Sequence, residues 1–252
     1  MGTKQKIVLI CLASCLCGMQ TASAAEEQNL KVLGAITLSQ KSMELKIRDR
    51  SFKPNFTSLG LSLTGGIAPF YITFNHDQSI KDDIEADSGG LIFYSRLDTS
   101  LELSYILSTQ WRLSAGYRTG ETESFYSTDA FGTSEQGFFI GGNYAHGFGK
   151  KGTLSASLAI AQLDGEVSLR EPFVDTSAFV VGPPPPTNVV GDALGFSFGL
   201  AWTGAISDKT QYSVGLKLHR YEFEDKQVFG GLDLSYDLNF TTYSFSLVHS
   251  FK

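Results

Sequence analysis

Thiols are nearly absent from this chain. Its 252 residues include three cysteines, Cys11, Cys15 and Cys17, all within the first 20 positions. Nothing beyond them offers a disulfide, a cysteine-ligated metal or a cysteine nucleophile. Charge is sparse at 18%, which excludes a disordered chain or a coiled coil. An excess of basic residues is missing too. Twenty Lys+Arg stand against 26 Asp+Glu, a net charge of −6, so nucleic acid is not an expected partner. Histidine occurs only four times, and no phosphate-cradling glycine loop of the Walker or dinucleotide type is present. No metal site and no cofactor are expected. What the chain has instead is 26 Gly, 19 Phe, 10 Tyr and a hydrophobic share of 42%.

The N-terminus reads as an export address. Lys4 and Lys6 precede the apolar run Ile7 to Ala13, and Ala22-Ser23-Ala24 supplies the small-residue cleavage pattern. Residues 1–25 are therefore expected to be a secretory signal peptide, with 26–252 forming one domain. Losing Lys4 and Lys6 leaves 18 basic against 26 acidic residues, a mature charge of −8. A second reading stays open, because Leu12-Ala13-Ser14-Cys15 resembles a lipobox at which Cys15 would be acylated. Beyond the leader no run of roughly 18 apolar residues exists, so no spanning helix is expected.

From Asn55 onward the dominant period is two, the signature of strands with one apolar face. Leu59, Leu61 and Leu63 alternate with Ser and Gly; Leu194, Phe196, Phe198, Leu200 and Trp202 alternate with Gly, Ser, Ala and Thr. The segments run longer than the roughly 5–6 residues of ordinary strands. Their non-apolar face is mostly Gly, Ser, Thr and Ala rather than Lys and Glu. Connections alternate in length. Gly65 to Ala68, Ile106 to Thr109, Gly149 to Gly152 and Ser207 to Thr210 are short; Asp77 to Gly90, Gly120 to Glu135, Arg170 to Gly191 and Glu224 to about Asp237 are long. One aromatic set (Phe70, Tyr105, Trp111, Phe148, Trp202, Tyr212, Phe251) lies near the short turns or the C-terminus. A second (Phe74, Phe93, Tyr117, Phe138, Phe196, Phe223, Phe240) lies toward the long loops. Amphipathic rings favour the headgroup level, so two girdles are expected.

On these features the chain resembles bacterial outer-membrane β-barrel proteins of the porin-like class, by architecture and not by a family motif. The resemblance implies an all-β, antiparallel, up-and-down transmembrane barrel of ten strands, with eight or twelve as alternatives, in the Gram-negative outer membrane. Short turns then face the periplasm. An upward strand must precede the one ending near Gly65, and Val32 to Ile47 is the candidate. Its apolar parity switches between Leu38 and Met43, which suggests a bulge near Ser39–Ser42. The alternating C-terminal segment ending at Phe251 resembles the insertion strand of such proteins. It implies periplasmic chaperones and the barrel-insertion machinery as partners, besides outer-membrane lipid and lipopolysaccharide.

Inward positions carry the candidate lumen residues Arg96, Asp98, Glu102, Arg112, Arg118, Lys217 and His219. Either they pair to fill a narrow barrel or they line a thin path for a small solute. A small passive channel or structural barrel is the expected function. The alternative is surface recognition through the loops at 120–135 and 170–191, the latter carrying Phe179, Val180, Val181 and the stiff run Pro183, Pro184, Pro185 and Pro186. No catalytic residue is assigned and no enzyme is expected. An omptin-like or lipid-modifying rim enzyme is the lesser reading, with His76-Asp77, Asp82-Asp83 and His219 as its ingredients.

Overall fold

A computed structural model describes residues 30–47, 50–80, 82–85, 91–125, 130–170, 188–225 and 236–251. The expected leader at 1–25 and the segment from Phe179 to Pro186 lie outside the described residues. Twelve strands follow in chain order: β1 (Lys31–Ile47), β2 (Arg50–Phe52), β3 (Asn55–Ile67), β4 (Phe70–Ile80), β5 (Asp82–Glu85), β6 (Leu91–Ile106), β7 (Trp111–Phe125), β8 (Ala130–Gly147), β9 (Thr153–Arg170), β10 (Asn188–Ala205), β11 (Thr210–Asp225) and β12 (Tyr236–Phe251). The ten long ones pair antiparallel with their sequence neighbours, and β12 pairs with β1 to close the ring. The short β2 and β5 pair antiparallel with the loop ends of β1 and β6. Closure leaves no free edge through the wall, which is what a spanning sheet requires.

The outer surface of the turn-side half is a belt of exposed large apolar side chains. Leu59, Leu61 and Leu63 lie on β3, Leu101 and Leu103 on β6, and Leu194 and Phe196 on β10, each at least half exposed. On β10 the belt runs from Leu194 to Trp202. At about 3.4 Å per residue and a tilt of about 40°, that is roughly 21 Å of height, close to the ~25 Å apolar band of membrane barrels. No helix among the described residues is long and apolar enough to cross a membrane. The crossing is made by strands.

Toward the loop end the two faces exchange character while the period stays at two. On β1 the outward Ile36 and Leu38 give way to outward Gln40, Ser42 and Lys46, and inward Ser39 and Lys41 give way to inward Met43 and Leu45, both 0% exposed. On β9 outward Leu158 is succeeded by outward Gln162 and Asp164, and inward Ser155 and Ser157 by inward Leu163 and Val167. The expected bulge at Ser39–Ser42 is therefore corrected. β1 pairs residue for residue with β12 from Val32↔Phe251 to Ile47↔Tyr236, with no interruption. What changes along the strand is the solvent on each side. Lipid outside demands an apolar exterior and tolerates a polar lumen. Past the membrane, water outside demands a polar exterior, and the interior becomes an ordinary core.

This inversion revises several expected boundaries. β7 runs on to Phe125 and β8 begins at Ala130, so most of the expected loop at 120–135 is strand. Asp77 lies inside β4, and Gly191 lies inside β10. The first short turn is Ala68–Pro69, joined by a cis peptide, and not Gly65 to Ala68. In the loop-side girdle, Phe74, Tyr117, Phe138 and Phe196 face outward. Phe223 and Phe240 do not: they are 2% and 4% exposed and sit in the interior core. The turn-side girdle has Phe70, Tyr105, Trp111, Phe148 and Phe251 on the exposed exterior.

Candidate functional site

The lumen is built in two storeys. The loop-side storey is apolar. Met43, Leu45, Phe56, Tyr94, Leu163, Val167, Phe223, Leu238 and Phe240 project inward from β1, β3, β6, β9, β11 and β12 into one buried cluster. Phe223 and Tyr236 stack with centroids 4.4 Å apart, and Phe56 meets Tyr94 edge-on at 6.3 Å. Glycines make room for this plug. A Cβ at Gly195 would stand 1.9 Å from the Tyr221 ring, so that ring occupies the space a side chain on β10 would need.

Directly beneath the plug lies a buried charge network. Lys41 Nζ donates to Asp77 Oδ1 at 2.5 Å and to Asp98 Oδ2 at 2.6 Å. Arg96 holds Asp98 with two nitrogens, Nη2 to Oδ1 at 2.6 Å and Nε to Oδ2 at 3.1 Å. Its Nη2 also pairs with Glu135, and its Nη1 donates to Thr122 Oγ1 at 2.7 Å. Arg118 donates to Tyr221 Oη at 2.5 Å and lies 3.6 Å from Asp98 and 3.8 Å from Glu135. Three cations (Lys41, Arg96, Arg118) thus face three carboxylates (Asp77, Asp98, Glu135), and the network is neutral. That balance lets so much charge sit out of water. The network is tied to the plug above it: the Arg96 guanidinium lies 4.2 Å from the Phe240 ring centroid and that of Arg118 5.4 Å from Tyr221. His219 Nδ1 shares hydrogen bonds with Ser197 Oγ at 2.6 Å and Tyr221 Oη at 2.9 Å.

Below the network the wall is small and hydroxylated. A cavity of about 230 Å³ is bounded by Thr37, Ser62, Ser157, Gly199, Ser213 and Ser244, with Lys41, Asp77 and Asp98 at its roof. On the β6–β8 wall, Glu102 is fully buried and accepts from Ser104 Oγ at 2.8 Å. Its Oε2 has no hydrogen-bond partner among the described residues, nor do Arg112 Nε and the amide nitrogen of Asn143, which sits opposite Arg112 on β8. Lys217 lies on β11 and lines the cavity.

All seven candidate lumen residues thus lie on the inner face, but in two groups. Arg96, Asp98 and Arg118 meet in the network, with His219 attached through Tyr221. Glu102, Arg112 and Lys217 lie outside it. Sequence reasoning missed Lys41, Asp77, Glu135 and Tyr221. Lys41 fell in the expected bulge, and Asp77 and Glu135 fell in expected loops. Each nonetheless continues an inward parity: Asp77 follows Thr73 and Asn75 by two, and Glu135 precedes Gly137 by two. Of the residues named for a rim enzyme, the His76-Asp77 pair is split between the two faces of the sheet. His76 and Asp77 are consecutive in a strand and face opposite ways. His76 bonds Thr99 across the outer face at 3.1 Å, while Asp77 is held by Lys41 inside. The side chains of Asp82 and Asp83 lie outside the description. No group of histidine and acidic residues that could hold a metal occurs among the described residues.

No protein-family model matches the chain, and no curated protein matches it in sequence. Solved structures match the fold. The outer membrane protease OmpT from Escherichia coli superposes with a TM-score of 0.58 at 8% identity, covering 92% of this chain and 100% of that chain. The translocator domain of the autotransporter NalP from Neisseria meningitidis superposes at 0.50 with 8% identity, covering 90% of each. At such identity the likeness speaks to fold alone. Together with the exposed apolar belt, the fold is that of outer-membrane β-barrels.

Proposed function

We propose that this barrel is closed to passive solute flow and acts at the cell surface, through the part that stands clear of the bilayer. One observation carries the reading: the loop-side lumen is filled by fully buried apolar side chains from the wall itself, seated on a charge-neutral network. A water-filled pore needs polar inner walls along its whole length, and here only the turn-side half has them. Among the described residues the plug is made by the strands of the wall itself.

The exterior above the belt supports the surface role. Glu44, Glu121, Asp164 and Glu222 replace Leu and Phe at outward positions there, as a sheet bathed in water requires. The candidate recognition residues Phe179, Val180, Val181 and Pro183 to Pro186 lie outside the described residues. Recognition through them stays part of the proposal. An enzymatic role is not proposed, since His76 and Asp77 face opposite sides of the sheet.

The test is conductance in planar bilayers after reconstitution of the refolded barrel. The expected record shows no steady current above leak. A stable ohmic conductance, changed by Arg112→Ala or Glu102→Ala, would overturn the closed-barrel reading and restore the small channel.

A further inference from the structure

Three of the lysines at the short-turn end of the barrel sit on two adjacent turns, with Lys31 apart from them at the base of β1. The β8–β9 turn holds Lys150 and Lys151, and the β10–β11 turn holds Lys209, all exposed. Asp208 is the one acidic residue in either turn, and the turns Ala68–Pro69 and Leu107–Gln110 carry no charge. The two lysine-bearing turns are neighbours, because β9 pairs β10 along the wall. The first turn also packs against the neighbouring strand. Gly152, at φ +130, lets the first turn fold onto the base of β10, where a Cβ would stand 2.8 Å from the Trp202 ring.

Aromatic rings lie just above the lysines on the outer wall. Phe148 meets Trp202 at 5.7 Å and His146 at 4.8 Å, while Trp111 and Tyr144 lie 5.0 Å apart on the neighbouring strands. Such rings mark the headgroup level. The ammonium groups therefore reach the phosphate layer of the leaflet against which the belt ends, and lysine stems favour that depth.

We propose that this patch selects anionic phospholipid in the periplasmic leaflet, with Lys150, Lys151 and Lys209 holding the headgroup phosphate and the Phe148–Trp202 cluster seating the glycerol and upper acyl chain. The inference rests on the reading that the short turns face the periplasm. Charge complementarity decides the headgroup: three cations against one carboxylate favour a net negative lipid over a zwitterionic one of the same chain length. The loop ends of β9 to β11 carry the opposite sign on the outer face, in Asp164, Glu166, Asp192, Glu222 and Glu224, so this preference belongs to one end only.

The experiment uses the full barrel refolded in detergent and equilibrated with equimolar dioleoyl-phosphatidylglycerol and dioleoyl-phosphatidylethanolamine. Bound lipid is read by native mass spectrometry. Retention of phosphatidylglycerol should exceed that of phosphatidylethanolamine roughly tenfold. The triple variant Lys150→Gln, Lys151→Gln, Lys209→Gln should lose that preference while keeping its heat-modifiable migration. Equal retention of the two lipids by the wild type, or an unchanged preference in the triple variant, overturns the proposal. A separate arm reports on orientation. Lys150→Cys should react with an impermeant maleimide only after the outer membrane is permeabilised, measured against wild-type background. Labelling in intact cells would overturn the proposal through its orientation. Protection of that cysteine with equal lipid retention would overturn the selectivity and leave the orientation intact.

Discussion

Removing the Asp98 carboxylate should be among the most damaging single changes in the lumen. Asp98 is the hub of the network: Lys41 at 2.6 Å, Arg96 at 2.6 Å and Arg118 at 3.6 Å all point at it. Asp98→Asn keeps the shape and removes one negative charge, so three cations would face two carboxylates beneath an apolar plug. Breaking a buried pair this way costs about 3–5 kcal/mol, mostly because the surviving charge is left unbalanced. The lower end of that range applies here, because Asp98 borders the cavity and its side chain is 21% exposed. A neutral counterpart exists in Arg96→Met with Asp98→Asn. It leaves Lys41 on Asp77 at 2.5 Å and Arg118 within 3.8 Å of Glu135, two cations against two carboxylates. Most of the penalty should then be recovered, with a coupling energy of about 2 kcal/mol. Urea-induced unfolding of the barrel in phospholipid bilayers, followed by tryptophan fluorescence and by heat-modifiable migration, measures both quantities. A cost below about 1 kcal/mol for Asp98→Asn, or strict additivity in the double variant, would refute the claim that charge balance holds this layer together.

Other outcomes follow from the same geometry. Gly195→Ala should destabilise the fold by about 1–3 kcal/mol through overpacking against the Tyr221 ring, read as a lower urea midpoint; an unchanged midpoint would show that the ring yields freely. Arginine placed along β9 should map the membrane boundary. Leu158→Arg, in the belt, should cost about 2–4 kcal/mol, whereas Gln162→Arg, just above it, should cost about 1 or less. Equal costs in the same assay would remove the argument that the strand leaves the bilayer between these positions. The silent bilayer record and the phosphatidylglycerol preference set out above complete the list.

Much of the fold was legible before any coordinates. Alternation in Leu59–Leu63 and Leu194–Trp202 named the strands and their lipid-facing side, because a single sheet between lipid and lumen has only two faces and a period of two reports both. The short turns at Leu107–Gln110, Phe148–Gly152 and Ile206–Lys209 fell close to where composition put them. The expected boundaries failed in a consistent way. Met43 after Leu38, Asp77 after Phe74, and Glu135 before Phe138 read as breaks or loops in the sequence, because there the apolar set leaves the expected face.

The sequence by itself determined that this is an antiparallel barrel with an apolar coat and charged inward positions. Period, segment length and turn spacing are local properties, and each strand writes them independently. Only the tertiary structure decided where the coat ends and what the inward charges do. Whether Lys41 meets Asp98, or Arg96 meets Glu135, depends on the stagger of strands far apart in the chain. Whether Phe240 faces lipid or core depends on its height along the barrel axis. Neither quantity is carried by any one strand. Both arise when the ring closes between β12 and β1 and fixes one common height for all ten walls.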